Sequence, residues 1–376
     1  MHLATLPLLL LSALGVTTAS PTRRATTCNG HAELCSRSYG NVTFLGTHNS
    51  YAVGGEIADN QGWNVTTQLN DGIRLLQVQS HLVGSTINLC HSSCTLQSSG
   101  PFTSYLSTLA TWLNANTEDV VTLLITNPES LSPSTFAADF VSAGLDSLAY
   151  VPPQSTTARD EWPTLGELVD SGKRLVVFMD YGADFSTAPY IIDEFSNVFE
   201  DAYDTTSQDF SCAANRTSGS PETTLMLTNH YLDYTTTLFN IPIFLSDKSK
   251  ITTTNAASGY GSLGQGVANC VDRWARNPNF ILLDWYDSNG AVPFNLAAQL
   301  NGVSEPTNTI VTSQFSTNAT AASASASVST TARASGTMSA GGATSSNLSA
   351  GGRSWSVSAG LVGLATAAAA IACVCV

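Results

Sequence analysis

Short, nearly uninterrupted runs of β-branched and apolar residues recur along the chain, at 42–45, 73–78, 120–125, 175–179, 224–227 and 280–283. A strand that is apolar on both faces must be covered on both faces, which is the condition of a parallel sheet sheathed in helices. Between the runs, Phe102, Tyr105, Leu106, Leu109, Trp112 and Leu113 fall at helical spacing, and Leu165, Leu168 and Val169 do so again. Alternating strands and helices predict an α/β domain on a parallel sheet. Periodicity alone leaves open whether that sheet closes into a barrel.

Several strands end in groups able to do chemistry. Leu45 leads into Gly46-Thr47-His48-Asn49-Ser50, Leu89 into Cys90-His91, Met179 into Asp180, Leu227 into Thr228-Asn229-His230, and Leu283 into Asp284. Ligands of parallel α/β folds sit at the carboxyl ends of strands, so these endings are expected to meet at one mouth.

The ends of the chain read as addresses. Residues 1–20 carry a short start with His2, an apolar stretch through 8–14 and small residues near Ala19, a signal-peptide pattern whose core is too short to span a bilayer. Arg23 and Arg24 have the pattern of a second processing site, and the mature protein is expected to begin near Ala25. From Glu305 the composition turns to Ser, Thr, Ala and Gly, which cannot bury enough surface to order itself, so 305–346 reads as a stalk. Residues 347–376 hold a polar spacer with Arg353, then an uncharged apolar tail from Val357 to Val376, the order of a glycosylphosphatidylinositol (GPI) attachment signal. A tail-anchored transmembrane helix is the alternative, although it normally leaves polar or basic residues on its far side. What remains, 25–304, is enough for one domain with a sizeable core.

The expected location is therefore extracellular, at the cell surface, with a GPI anchor to the plasma membrane or wall. Of eight cysteines, Cys373 and Cys375 fall in the tail, and an even number remaining in an exported chain implies disulfides. Sequence proximity favours Cys28 with Cys35 and Cys90 with Cys94, and elimination leaves Cys212 with Cys270. A Cys-His-Cys zinc cluster around His91 competes with the second pair. Sequons at Asn41, Asn64, Asn215, Asn318 and Asn347 suit the same compartment. A net charge of −14 excludes nucleic acid as a partner, since that demands basic patches. It also predicts slow approach to an anionic bilayer, and requires an anionic substrate to be met by locally arranged groups.

The order Leu45-Gly46-Thr47-His48-Asn49-Ser50-Tyr51, then Gly72-Ile73-Arg74, then Ile87-Asn88-Leu89-Cys90-His91 resembles the X domain of phosphatidylinositol-specific phospholipases C. The bacterial-type and fungal secreted branches are the nearest in pattern. Similarity runs from about 42 to 125 and more loosely to 287. It implies a distorted (β/α)8 TIM-type barrel, the PLC-like phosphodiesterase fold, acting on a lipid headgroup or another phosphodiester. It further implies that His48 removes a proton from the hydroxyl beside the phosphate while His91 protonates the departing alcohol, giving a cyclic phosphate. Imidazole suits both tasks because it titrates near neutrality. Asp284 matches the family's aspartate that orients the first histidine.

Asn49 stands where bacterial members have aspartate and calcium-dependent members asparagine. Gln77 and Gln79 replace the charged residues that support either an arginine for the phosphate or carboxylates for calcium. They can hydrogen-bond a phosphate, but calcium would lack its usual carboxylates, and no metal ligand is assigned. Asn127 occupies a strand end where bacterial members place lysine. Asp180 and His230, by their strand-end positions, join Asn49, Gln77 and Gln79 as substrate-binding residues. His81 reads as structural or solvent-facing.

Other readings stay open. A catalytically degenerate barrel that binds a lipid headgroup or cell-wall glycan is favoured by Gln77 and Gln79. A carbohydrate-active barrel would use Asp180 and Asp284 as its two carboxylates, and a hydrogen bond between Asp284 and His48 would count against it. Gly259-Tyr260-Gly261-Ser262-Leu263-Gly264 has the spacing of a dinucleotide fingerprint, but polar 252–258 offers no strand before it, so it reads as a glycine-rich loop. The chain contains no Gly-x-Ser-x-Gly nucleophile elbow.

Overall fold

The apolar runs form parallel strands that neighbour one another in chain order, as the strands of a barrel do. The computed structural model describes residues 24–91, 93–238 and 240–315. The expected signal segment, the attachment signal, the stalk beyond 315 and the sequons at Asn318 and Asn347 lie outside the described residues. The strands are β1 (Phe44–Thr47), β2 (Leu75–Val83), β3 (Thr86–Cys90), β4 (Ser98–Pro101), β5 (Val121–Thr126), β6 (Leu175–Met179), β7 (Ile191–Asp193), β8 (Val198–Glu200), β9 (Leu225–Asn229), β10 (Asp233–Leu238), β11 (Ile241–Ser246) and β12 (Phe280–Leu283). The α-helices are α1 (Val65–Asp71), α2 (Phe102–Ala115), α3 (Pro133–Ala143), α4 (Leu165–Ser171), α5 (Glu194–Asn197), α6 (Ile251–Thr254), α7 (Leu263–Trp274) and α8 (Val292–Asn301).

Hydrogen bonds join the parallel strands in the order β7-β6-β5-β2-β1-β12-β9-β8. Read from β1, this is the sequential order of a (β/α)8 barrel, with no pairing between β7 and β8, where only the short α5 intervenes. The fold is thus a distorted TIM-type barrel. Two antiparallel additions decorate it. β3 and β4 continue from β2, and β10 pairs only with β11. Among the described residues no helix is long and apolar enough to cross a membrane.

Each central strand feeds two apolar layers, which explains why its sequence does not alternate. Leu76, Val78, Leu123, Ile125 and Ile281 pack outward under α2, α3 and α8, whereas Phe44, Leu75, Leu124, Phe178, Phe280 and Leu282 fill the interior. The interior is closed at its amino-terminal end by Tyr39 and Trp162, whose rings lie 5.1 Å apart. Burying one such side chain is worth roughly 1.5–3 kcal/mol, so the continuous runs are where the barrel draws most of its stability.

Cys28–Cys35, Cys90–Cys94 and Cys212–Cys270 are all bonded as expected, which leaves neither Cys90 nor Cys94 a free thiolate for zinc. Asn41, Asn64 and Asn215 are exposed. The boundary expected at 304 falls short of the packed chain. Ile310 is buried in the outer layer, the Trp63 indole donates to the Val311 carbonyl, and the Ser313 amide donates to Asp287. A Cβ on Gly55 would lie 2.7 Å from the Phe315 ring. Isolated apolar residues in a Ser/Thr-rich stretch give no periodicity to read, yet these few suffice to strap the segment down.

The glycine-rich stretch expected as a loop runs into α7, whose helix begins at Leu263, and its glycines serve packing. A Cβ on Gly264 would sit 1.9 Å from the Ala257 carbonyl oxygen, and one on Gly266 would sit 2.6 Å from His230 Nδ1. Gly264→Ala is expected to destabilise the protein by roughly 3 kcal/mol, seen as a lower urea midpoint at unchanged slope. A midpoint equal to that of the native protein would mean that the first turn of α7 has room that the structure does not show.

Candidate active site

The register that pairs Thr47 with Leu283 brings the ends of β1 and β12 level, so the next residues, His48 and Asp284, leave neighbouring strands side by side. His48 Nδ1 lies 2.9 Å from Asp284 Oδ1. Both residues are followed by a non-glycine in the left-handed region, Asn49 at φ 43° and Trp285 at φ 46°. That conformation is costly for a bulky side chain and needs outside support. Trp285 finds it in full burial and in a bond from its amide to the Asn60 carbonyl, while the Asn49 amide donates to Gln77 Oε1 at 2.6 Å. Gln61 Nε2 ties the strands together by donating to the carbonyls of both His48 and Leu283.

Asn60 completes the arrangement. Its Nδ2 donates to both carboxylate oxygens of Asp284, at 3.1 and 3.0 Å. Its Oδ1 accepts from Asn49 Nδ2, which also lies 3.1 Å from His48 Nε2. With Asp284 accepting from Nδ1–H, Nε2 carries the lone pair. The His48 ring stacks on Tyr231 at 3.9 Å between centroids.

His91 reaches the same space from the end of β3, on a loop held by the Cys90–Cys94 bridge. Its Nδ1 is 2.6 Å from the Ala58 carbonyl, and therefore donates, which leaves Nε2 for the cleft. The two imidazole centroids are 6.2 Å apart. The cleft has a volume of about 370 Å³ with Leu124 and Leu282 among its lining residues.

Asn49, Gln77, Gln79 and Asp180 all line this cleft with the two histidines. His230 does not. Its Nε2 is 2.8 Å from the Thr254 carbonyl and its ring lies 4.1 Å from that of Phe210, against α7. The expectation fails because side chains alternate along extended chain: Asn229 and Tyr231 line the cleft, so His230 points away. His81 is buried with Nδ1 3.1 Å from Glu129, a structural position as expected.

Calcium does not fit beside His48. The Asn49 Oδ1 already accepts from the Tyr51 hydroxyl, and the Gln77 Oε1 accepts from the Asn49 amide while its Nε2 donates to Thr126. Neutral amides committed in this way make a poor oxygen set for the ion at these two positions.

Arg216 was not legible in the sequence, since it sits in the polar loop before β9 without periodic context. It lines the cleft, pairs with Glu200, and lies over the Tyr203 ring at 4.2 Å. Burial opposes its charge, but Glu200 and Glu194 outweigh burial and hold it ionised. Asn60 and Tyr231 were missed for the same reason, being loop residues outside any motif.

The electrostatics separate the histidines. Burial alone would lower the His48 pKa, yet the carboxylate of Asp284, with Asp233 and Asp204 behind it, raises it above the ordinary histidine value. For His91 burial dominates, only partly offset by the Ala58 carbonyl, and its pKa falls to about 4. Burial lifts Asp180 to about 6 despite its bonds from the amides of Asn127 and Tyr181.

A family model described as PI-PLC X 1 matches residues 34–301. An Arthroderma benhamiae protein named "Uncharacterized secreted protein" is 45% identical over 284 residues, covering 73% of this chain and 64% of its own length. The chain therefore spans less than two thirds of that relative. A second A. benhamiae protein, "PI-PLC X domain-containing protein 1", is 42% identical over 288 residues, covering 76% of this chain and 92% of that relative. Among solved structures, the phosphatidylinositol-specific phospholipase C of Listeria monocytogenes aligns with a TM-score of 0.46 at 15% identity, covering 67% of this chain and 90% of that one.

Proposed function

Because the chain belongs to the PI-PLC X domain family, we propose that it is a phosphoric diester hydrolase that cleaves an inositol-type phosphodiester with His48 as base and His91 as acid. The observation that carries this reading is the His48–Asp284 pair facing His91 across one cleft. His48 Nε2 takes the proton from the hydroxyl beside the phosphate, and that oxygen attacks phosphorus. The departing alcohol takes a proton from His91 Nε2. The product is a cyclic phosphate, with His48 charged and His91 neutral. Water then reverses the roles, giving its proton to His91 while His48 returns its own to the ring oxygen. A bound diester anion beside His91 restores the proton that burial removes.

We place the barrel outside the cell, after removal of residues 1–20, and read the segment after 315 as a stalk ending in a GPI signal. The disulfides and exposed sequons support export. The reaction is tested by mixing the protein, ending no earlier than Phe315, with phosphatidylinositol and following phosphorus NMR with and without calcium. A cyclic phosphate is expected in both. Its absence from folded protein would reject the reading.

The second reading, a barrel that binds a headgroup without cleaving it, draws on two observations. Gln77 is held by Asn49 and Thr126, and Arg216 is held by Glu200. The carbohydrate reading loses ground, because Asp284 is bonded to His48.

The raised pKa of His48 also sets a pH dependence. A base must be neutral, so kcat, which reports the substrate-bound enzyme in which His91 holds its proton, is expected to fall as pH drops through a value above the ordinary 6.5 or so. Asp284→Asn removes the main carboxylate raising that pKa and is expected to move the acidic limb downward while lowering the plateau. A limb that stays in place would mean that His48 is not the titrating base.

A further inference from the structure

We propose that Tyr231 is the positioning residue of the base: its ring is the surface against which the His48 imidazole is held flat, and on which the imidazole rests once it has taken the proton. This inference rests on the reading of His48 as the base. Bonds made at the edge of a ring do not fix its plane. Asp284 holds His48 at Nδ1, and Asn49 Nδ2 lies 3.1 Å from Nε2, both at the edge. The torsion that turns an imidazole has a broad well, so a ring tied only there still rocks, and the lone pair on Nε2 rocks with it. A wall against the face removes that freedom, and aligned reactants gain rate from it.

Strand register builds the wall. Asn229 at the end of β9 pairs with Leu282 of β12, so Tyr231 and Asp284, each two residues further on, leave neighbouring strands level with one another. One meets the face of His48 and the other its edge. The wall is itself immobile, since Tyr231 is only 3% exposed and packs in the interior layer that holds Phe280 and Leu282.

The manner of stacking points to a charged partner. With centroids 3.9 Å apart and planes 6° apart, His48 and Tyr231 are the closest and most nearly parallel ring pair among the described residues. Neutral aromatic rings prefer offset or edge-on packing with centroids about 4.5–7 Å apart, because their faces carry like partial charge. A positive ring over a phenol face is attracted instead. The contact therefore strengthens as His48 takes its proton, which is when the transition state can use it. Tyr231 stays neutral throughout, as burial and the carboxylates of Asp204, Asp233 and Glu200 hold its hydroxyl well above the ordinary tyrosine range. The charged or titratable groups that act on His48 are Asp284 after β12, Asp233 at the start of β10, Asp204 in the loop after β8, and His91 after β3. The three carboxylates favour its charged form through space, and Tyr231 adds contact with its face.

The test reads the titration of the His48 ring protons by NMR without substrate, assigned by their loss in His48→Ala, and the pH profile of kcat with phosphatidylinositol. Native protein, Tyr231→Phe and Tyr231→Leu are compared. The first measurement needs no turnover, so failure of the stack and failure of the proposed reaction are distinguishable. Removing the ring disfavours the charged imidazole, so Tyr231→Leu is expected to lower the pH at which His48 titrates by about one unit and to carry the acidic limb of kcat down with it. The plateau is expected to fall roughly three- to tenfold. Tyr231→Phe keeps the face and is expected to leave the titration and the limb where they are. If Tyr231→Leu does not fold, pentafluorophenylalanine at position 231 keeps the shape of the ring and withdraws charge from its face, and is expected to shift the titration in the same direction. A packing role alone would lower the melting temperature and leave the titration in place. That outcome, or a shift in Tyr231→Phe as large as in Tyr231→Leu, would overturn the proposal.

Discussion

His91→Ala is expected to lower formation of the cyclic phosphate by roughly 10²–10⁴-fold, and His48→Ala by at least as much. The two losses differ in origin. Without His91 the alcohol leaves as an alkoxide or takes its proton from water, so substrates with a more acidic leaving group should be partly spared. Without His48 the attacking hydroxyl keeps its proton, and the acidity of the leaving group should not matter. Asp284 would keep its bonds from Asn60 but would have no imidazole to orient. Comparing a phosphatidylinositol with a soluble inositol diester bearing a phenol-like leaving group separates the two. Equal rescue of both variants would mean that the roles given to the two histidines are wrong.

Ending the chain at Ser304 is expected to cost about 3–5 kcal/mol, the sum of exposing the surface that Ile310 covers and stripping bonds from buried partners. Ile310 is 7% exposed in the outer layer. The Ser313 amide and Thr312 hydroxyl bond to Asp287, which is fully buried in the turn after β12. Because Asp284 lies three residues earlier, the loss should reach the site as well, and turnover should fall with stability. Thermal melts of the two lengths check the first effect. Equal melting temperatures would mean that residues 305–315 ride on the barrel without holding it.

The barrel was legible where burial writes on both faces of a strand. Leu175–Met179 and Phe280–Leu283 match the apolar runs residue for residue, because such strands allow few polar positions. Strands β7 and β8, three residues each, lie inside a region whose polar loops hide them. His48, His91 and Asp284 were reached through a motif and through strand ends, and they do meet. His230 shared the strand-end position and was misplaced, since position along a strand does not say which face a side chain takes. Asn60 needed the fold itself, its partner Asp284 lying 224 residues away, and Arg216, only 16 residues from Glu200, was hidden because a polar loop offers no periodicity to read.

The segment between β1 and α1 carries Ala58, whose carbonyl fixes the His91 tautomer, together with Asn60 and Gln61, which fix Asp284 and the backbone of His48. The proposed acid and base are thus mounted on one bracket, though they come from different strands. Their spacing cannot drift independently: a shift of that segment misaligns both at once, so partial damage there should produce an enzyme that is uniformly slow, with neither half-reaction spared. Descendants that lose the chemistry would be expected to lose it here in a single step, keeping both histidines as relics in an intact barrel.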